Sequence, residues 1–556
     1  MLRHGNAVLR CRRSGALSAA LGRHTIHQQH QQHTAVERKK VYMVAGEASG
    51  DAIGAKVIQA LERKRAQGDP HAQQIEFRGV GGPLMCAAGG FDSLFSMQEL
   101  SVMGLVEVLP SLWRIRRRLH DTLADIKQFQ PDVVLTIDSK GFTFRILKAL
   151  YADPATRDSI TRMHYVAPSV WAYKHRQKKE RDFTELSRLL HRMFTILPFE
   201  ESLFMNEDHK KDATSGGGDQ GEREGADGKK AQWCRFVGHP AVEDFLEYHG
   251  QFDRETAEIS ARTSYSSSRP QAPLDTIVPK RSPNSDALLD FSKYEYRQLE
   301  QQGQLFESLM ESGRNSKNNS DRAATRAKFV IPEHAFVVCA LVGSRQNEVT
   351  KNLQLVLEGI KRFHQSHVQK KDARQIFVVF PTISSIGNRV KSELLRESSS
   401  SHTQLDTAVL TDLSASERIQ LFQSADAAVA VSGTIVMETT LAALPTVVVY
   451  RANRITELIA QQLAAVRFVS IPNLLLGRWV VPELLFRECT PANIDAALRK
   501  IHEESVCPTA AHLGLPMALS TLVKWGTGGG DRQPKPLRAS DAVAKEILDA
   551  LGGHGR

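Results

Sequence analysis

Residues 431–438, Val431-Ser432-Gly433-Thr434-Ile435-Val436-Met437-Glu438, carry the clearest chemical signal in the chain. An apolar run over 427–431 reads as a buried strand, breaks at Ser-Gly-Thr, and resumes as a helical pattern with a carboxylate one turn in. A strand–turn–helix junction points backbone N–H groups at the crevice beyond the sheet's C-terminal edge, which suits a phosphate. A carboxylate a short way along the helix can accept hydrogen bonds from ribose hydroxyls. An ordinary capped helix packed on a sheet carries the same letters, so the elements around the junction must decide.

Those elements repeat one pattern. Apolar runs over 41–45, 77–80, 132–137, 163–166 and 192–197 predict strands, with helical patterns such as 53–61 between them and residues 46–51 as a turn. A second series follows at 335–342, 375–380, 408–410, 427–431 and 446–450. Strands alternating with helices mean βαβ units and parallel, doubly wound sheets. The α/β chain of 556 residues therefore reads as two such domains facing a cleft, over 41–247 and 328–505. Residues 207–232 and 251–326 are polar, Gly- or Ser-rich, and read as surface insertions that bury too little apolar area to offset their ordering entropy. Within the second, residues 291–310 read as a helix.

Charge and composition remove several classes. Of the net +10, five charges lie in residues 1–36 (Arg3, Arg10, Arg12, Arg13, Arg23), which hold no Asp or Glu. An Arg-rich, acid-free start with Ser and small residues reads as a mitochondrial transit peptide, with a plain unstructured tail as the alternative. The rest shows no basic stripe interleaved with stacking aromatics, so no nucleic-acid partner is indicated. No apolar run reaches the roughly 20 residues needed to span a bilayer. The six cysteines are scattered without C-x-x-C spacing, which argues against a zinc site or disulfide scaffold.

Six motifs stand out, most at the ends of predicted strands. They are Val44-Ala45-Gly46-Glu47-Ala48-Ser49-Gly50-Asp51, Val102-Met103-Gly104-Leu105-Val106-Glu107-Val108-Leu109, and His164-Tyr165-Val166-Ala167-Pro168-Ser169-Val170-Trp171-Ala172 in the first half. Gly343-Ser344-Arg345 through Glu348, Ser432 to Glu438, and Pro472-Asn473-Leu474-Leu475-Leu476-Gly477-Arg478 follow in the second. In this order they closely resemble the lipid-A-disaccharide synthases, inverting glycosyltransferases of the lipid A pathway, over about residues 41–205, 233–247 and 328–505.

The resemblance implies a GT-B fold, two Rossmann-like domains about a cleft. It also implies a metal-independent transfer from UDP-2,3-diacylglucosamine to 2,3-diacylglucosamine 1-phosphate (lipid X), giving a β-1,6-linked disaccharide 1-phosphate and UDP. Asp138 is then the candidate base and Arg345 the group that neutralises the leaving diphosphate. Gly343, Ser344, Ser432, Gly433, Thr434, Glu438 and Asn473 fall on the UDP-sugar side, with Glu438 on the ribose and Asn473 at the cleft. Ser49 and Glu47 fall on the acceptor side with Asp138. The chain departs from the family at Asp138-Ser139-Lys140-Gly141-Phe142, where Asp-Ala-Pro-Asp-Phe is usual, and at Val342, where a proline is usual.

Acylated substrates require access to a membrane surface. Val106, Val108, Leu109, Leu112, Trp113 and Ile115 beside Arg114, Arg116 and Arg117 match the family's docking patch, and such a mixture suits anionic headgroups. A helix packed into the domain core would show the same periodicity. Together with the N-terminal segment, this implies a peripheral protein of the mitochondrial inner membrane. Residues 506–556 are expected to return to the first domain or to be exchanged in a homodimer. Two other functions fit the residues: another UDP-sugar enzyme of this fold, such as an epimerase or a transferase with a soluble acceptor, and a non-catalytic nucleotide- or lipid-binding relative.

Overall fold

Seven parallel strands build the first sheet: β1 (Lys39–Ala45), β2 (Ile75–Val80), β3 (Phe91–Ser93), β4 (Val133–Ile137), β5 (Thr161–Tyr165), β6 (Arg192–Thr195) and β7 (Cys234–Phe236). Six more build the second: β8 (Phe336–Leu341), β9 (Ile376–Thr382), β10 (Asp406–Thr411), β11 (Ala427–Val431), β12 (Thr446–Tyr450) and β13 (Glu483–Leu485). The computed structural model describes residues 38–100, 112–172, 183–205, 233–252, 288–290, 293–314, 319–368, 374–400, 405–451, 457, 466–503, 514–526 and 535–553. The expected transit segment and the 207–232 insertion lie outside the described residues.

The strand orders are 3-2-1-4-5-6-7 and 10-9-8-11-12-13. In each sheet the order reverses once, between β1 and β4 and between β8 and β11. Loops leaving those two pairs diverge, so each sheet has one crevice at its C-terminal edge where a ligand fits. Central strands are buried on both faces, as parallel sheets require. In β1, Val41, Met43 and Ala45 enter one core layer while Tyr42 and Val44 enter the other. In β8, Phe336, Val338 and Ala340 oppose Val337, Cys339 and Leu341 in the same way.

The helices that matter to the site are α1 (Ala48–Ala66), α2 (Leu112–Phe129), α3 (Lys140–Ala152), α4 (Pro240–Tyr248), α5 (Tyr296–Arg314), α6 (Asn319–Lys328), α7 (Gln346–Val368), α8 (Ala415–Ser424), α9 (Ile435–Leu441), α10 (Ile471–Leu476), α11 (Leu515–Ser520) and α12 (Ala539–Leu551). An apolar cluster joins the two halves: Trp171, Leu197, Ala241 and Phe245 pack with Met437, Leu441, Phe468, Leu475, Leu519 and Leu522. The chain then returns to its start. Val543, Ala544, Ile547 and Leu551 of α12 share a core with Val57, Ile58 and Leu61 of α1. Glu546 pairs with Arg192 at 3.0 Å and with Arg235, and Arg63 pairs with Asp541 at 2.7 Å.

Two expectations need correction. The helix placed at 53–61 begins at Ala48, so Ser49 lies in its first turn rather than in a loop. The helix read over 291–310 is present as α5, but most of α6 also falls within 251–326, so that segment is not all insertion. Leu299, Phe306 and Leu309 of α5 recur at helical spacing and are buried against α11. Arg326 is also buried, its guanidinium donating to Ser424 O (2.9 Å) and Ala335 O (3.0 Å) and pairing with Asp426 at 2.9 Å. Gln301, Gln304, Glu307, Ser308 and Glu311 are exposed on the other side of α5, and average composition cannot separate such a solvent face from an unstructured run.

Glu200 is buried beside the joint between the halves and accepts from Trp171 Nε1 (3.1 Å) and Leu197 N (3.2 Å). Burial pushes its carboxyl up to about 7 from 4.5, partly offset by those hydrogen bonds. Its folded value lies above its unfolded one, so its stabilising contribution is full below about pH 4.5 and is lost as pH rises through about 7. Urea melts should show wild type losing on the order of 2–3 kcal/mol between pH 4.5 and 8 relative to Glu200→Gln. Parallel pH slopes would contradict this assignment.

Candidate active site

The loop after β4 is shaped by backbone conformation. Asp138 and Ser139 both take positive φ, 48° and 47°. Two successive non-glycine residues there cost roughly 1–2 kcal/mol each, and Asp tolerates the region better than most. The strained pair is held from below: Asp138 N donates to Tyr165 O at 3.0 Å, and Thr143 Oγ1 of α3 donates to Asp138 O at 2.8 Å. It is also held from the side, since a Cβ on Gly46 would lie 2.3 Å from Ser139 Oγ. Gly46 therefore lets the loops after β1 and β4 nest at the first crevice.

Glu47 occupies the cap position of α1 without capping it. Its carboxylate instead reaches the second domain and pairs with Arg345. Arg345 follows β8, and its other amino group donates to Glu348 Oε1 at 2.7 Å in the first turn of α7. Gly343 turns the chain there at φ 104°, and a Cβ would lie 2.6 Å from Glu348 Oε2. Val342, which stands where the family has proline, is buried.

One guanidinium thus sits among three carboxylates. Burial raises the Glu47 pKa, opposed by Arg345 and reinforced by Asp138 and Glu348. Burial also raises Asp138, opposed by the Ser139 N–H and by Arg345. Burial alone would lower Arg345, but Glu47 and Glu348 outweigh it and its pKa is raised. Asp138 is therefore a carboxylate with enhanced proton affinity, a property that favours a general base.

On the opposite side of the cleft, Gly433 and Thr434 are exposed at the end of β11, and a Cβ on Gly433 would meet nothing. At the start of α9, Val436 N donates to Gly433 O at 3.2 Å and Met437 N to Thr434 O at 3.0 Å, bonds that close the Ser-Gly-Thr turn. Glu438 faces back within α9, where its Oε2 accepts from Arg418 Nε at 2.7 Å. Ser344 is exposed beside Arg345, and Ser49 is half-buried two residues after Glu47.

Asn473 differs from its expected role at the cleft. It is fully buried on α10, with Nδ2 donating to Val481 O (2.8 Å) and Glu483 Oε1 (2.9 Å). Its Oδ1 accepts from Val480 N (2.6 Å) and Val481 N (2.9 Å). All four amide bonds are used, so Asn473 braces the segment before β13 and has none left for a ligand.

The docking patch divides. Val106, Val108, Leu109 and the side chain of Leu112 lie outside the described residues. Trp113 is 74% exposed, and Arg114, Arg116 and Arg117 are exposed on α2. Ile115 is corrected: it lines up with Leu119, Leu123 and Ile126 and packs inward on the domain core. Sequence reading gave no role to Asp51, which closes the first motif, and missed Arg418. Asp51 is buried and accepts from Gly82 N, Leu84 N and Met85 N at 2.9, 3.0 and 2.9 Å, tying down the loop after β2. An acidic side chain in the buried face of α1 was the available signal for it. Arg418 is twenty residues from its partner and carries no local signal.

Two Rossmann-like domains, each with chemistry at its switch point and the two points in contact across a cleft, define the GT-B class of UDP-sugar enzymes. The chain belongs to the lipid-A-disaccharide synthetase family, whose model matches residues 41–210 and 309–512, and it is a glycosyltransferase of lipid A biosynthesis. Lipid-A-disaccharide synthase of Granulibacter bethesdensis is 31% identical over 92% of this chain and 98% of its own length. The Arabidopsis thaliana protein named "Probable lipid-A-disaccharide synthase, mitochondrial" is 29% identical over 83% of this chain and 79% of its own. Among solved structures, Methanocaldococcus jannaschii UDP-GlcNAc 2-epimerase in complex with UDP-GlcNAc and UDP aligns with a TM-score of 0.46 and 11% identity, over 92% of this chain and 99% of that one. Likeness at that level carries no functional weight.

Proposed function

We propose that this chain transfers 2,3-diacylglucosamine from its UDP derivative to the 6-hydroxyl of lipid X, with inversion, at the surface of the mitochondrial inner membrane. The observation that most supports it is the Arg345–Glu47 pair, which joins the donor-side loop after β8 to the acceptor-side loop after β1. In this reading the donor's diphosphate takes Arg345 and the amides at Gly433 and Thr434, and its ribose takes Glu438. Ser344 lies along the diphosphate, and Ser49 faces the acceptor. Asp138 accepts the proton of the 6-hydroxyl as its oxygen attacks the anomeric carbon and UDP departs from the opposite face.

Arg345 is already engaged by Glu47 and Glu348, so the diphosphate must compete for it. Once it does, Glu47 is left beside Asp138 without its cation, and like charges raise each other's proton affinity. Donor binding thereby strengthens the base when it is needed.

The exposed Trp113 with Arg114, Arg116 and Arg117 supports a lipid acceptor over a soluble one. Flotation with vesicles containing anionic lipid should recover the wild type. It should lose most of the Trp113→Ala/Arg116→Gln/Arg117→Gln variant, whose turnover in detergent micelles stays near normal. Absence of wild-type flotation would favour a soluble-acceptor enzyme instead.

A further inference from the structure

The charged groups behind Glu438 form a series that crosses between the domains, joined by two ion pairs and, between Asp244 and Arg418, by charge alone. Arg418, in the first turn of α8, donates Nε to Glu438 Oε2 at 2.7 Å and Nη1 to Leu413 O at 2.9 Å. Its guanidinium is thus pinned both to the carboxylate and to the loop before its own helix. That helix start is itself fixed by a reciprocal capping box between Ser414 and Glu417. Burial would lower the pKa of Arg418, but Glu438, with a contribution from Asp244, outweighs it. Asp244 stands on α4, which packs against both α8 and α9. Asp244 pairs with Lys56 at 2.6 Å, and Lys56 also donates to Pro240 O at 2.9 Å. Lys56 belongs to α1, the helix that starts beside Glu47. Charges of alternating sign therefore run Lys56, Asp244, Arg418, Glu438 from the acceptor-side helix to the donor-side carboxylate.

We propose that Arg418 is a positioning residue for the nucleoside end of the donor, fixing Glu438 through Oε2 so that Oε1 is presented to the ribose diol. This deepens the reading of Glu438 as the ribose carboxylate and rests on it. A carboxylate on a helix surface has rotational freedom, and a fork donor that binds one oxygen and is itself tethered removes it. Lysine keeps the charge but not the two fixed points.

The test is calorimetric titration of the full chain with UDP and with 2′,3′-dideoxy-UDP, which lacks the hydroxyls concerned. Wild type should prefer UDP by about 10- to 100-fold, the range for hydrogen bonds to a charged group. Arg418→Gln should shrink that preference below about threefold while leaving the affinity for dideoxy-UDP unchanged. Arg418→Lys should fall between them, and adding Arg418→Gln to Glu438→Gln should change nothing further. Retention of the wild-type preference by Arg418→Gln overturns the proposal, as does equal loss of both nucleotides, which means general damage to the pocket. If wild type does not discriminate, the ribose reading of Glu438 fails first and the proposal falls with it. Should Arg418→Gln fail to fold, Arg418→Lys decides: its preference must drop at least about threefold at constant dideoxy-UDP affinity, or the proposal is wrong.

Discussion

Asp138→Asn is expected to lower kcat by about 10²–10⁴-fold, the usual worth of a positioned general base, without lowering the melting temperature. The amide is isosteric and can still receive the Ser139 N–H on its oxygen, so the strained loop after β4 keeps its shape. Stability should hold because burial raises the pKa of Asp138. A carboxyl whose folded pKa is raised contributes stability at low pH that is lost as pH climbs through that value. At pH 8 the wild type therefore carries a desolvated charge that asparagine lacks. The acid limb of the wild-type pH–rate profile should lie above the ordinary 3.8 of an aspartate. Near-normal turnover in Asp138→Asn, measured as UDP release, would remove Asp138 from the mechanism.

Arg345→Ala should cost about 10²–10³-fold in kcat, as expected for losing a preorganised partner of the leaving group. It should also destabilise the protein, because Glu47 and Glu348 lose their shared cation beside Asp138. An unpaired, largely buried carboxylate costs on the order of 2 kcal/mol. The two effects separate in the double variant Glu47→Gln/Arg345→Ala, which should regain much of the stability and none of the activity. Recovery of kcat in that variant would mean that Arg345 serves only to hold the two domains together.

The sequence made the central strands legible because they are uninterrupted apolar runs bounded by charged or turn-forming residues, Lys40 and Gly46 about 41–45, Asp426 and Ser432-Gly433 about 427–431. Edge strands β3, β7 and β13 were not legible: each is three residues long, too short for any periodicity. The helix read over 291–310 is present as α5, shifted to Tyr296–Arg314, whereas α6 was hidden by its polar composition. Within the site, the motifs located Glu47, Asp138, Arg345 and Glu438 in the chain but not their mutual pairing. No local pattern foretells that Glu47 leaves its own helix cap to reach a residue 298 positions on. Asn473 shows the opposite error, a polar residue in a cleft motif whose hydrogen-bonding capacity is spent inside the fold.

The most direct test is to incubate the full chain with UDP-2,3-diacylglucosamine and lipid X in detergent micelles and to identify the products by mass and linkage. A β-1,6-linked tetraacyl disaccharide 1-phosphate, formed in equal amount with UDP, is the expected result. UDP binding with no disaccharide, or transfer to a soluble sugar phosphate in preference to lipid X, would contradict it.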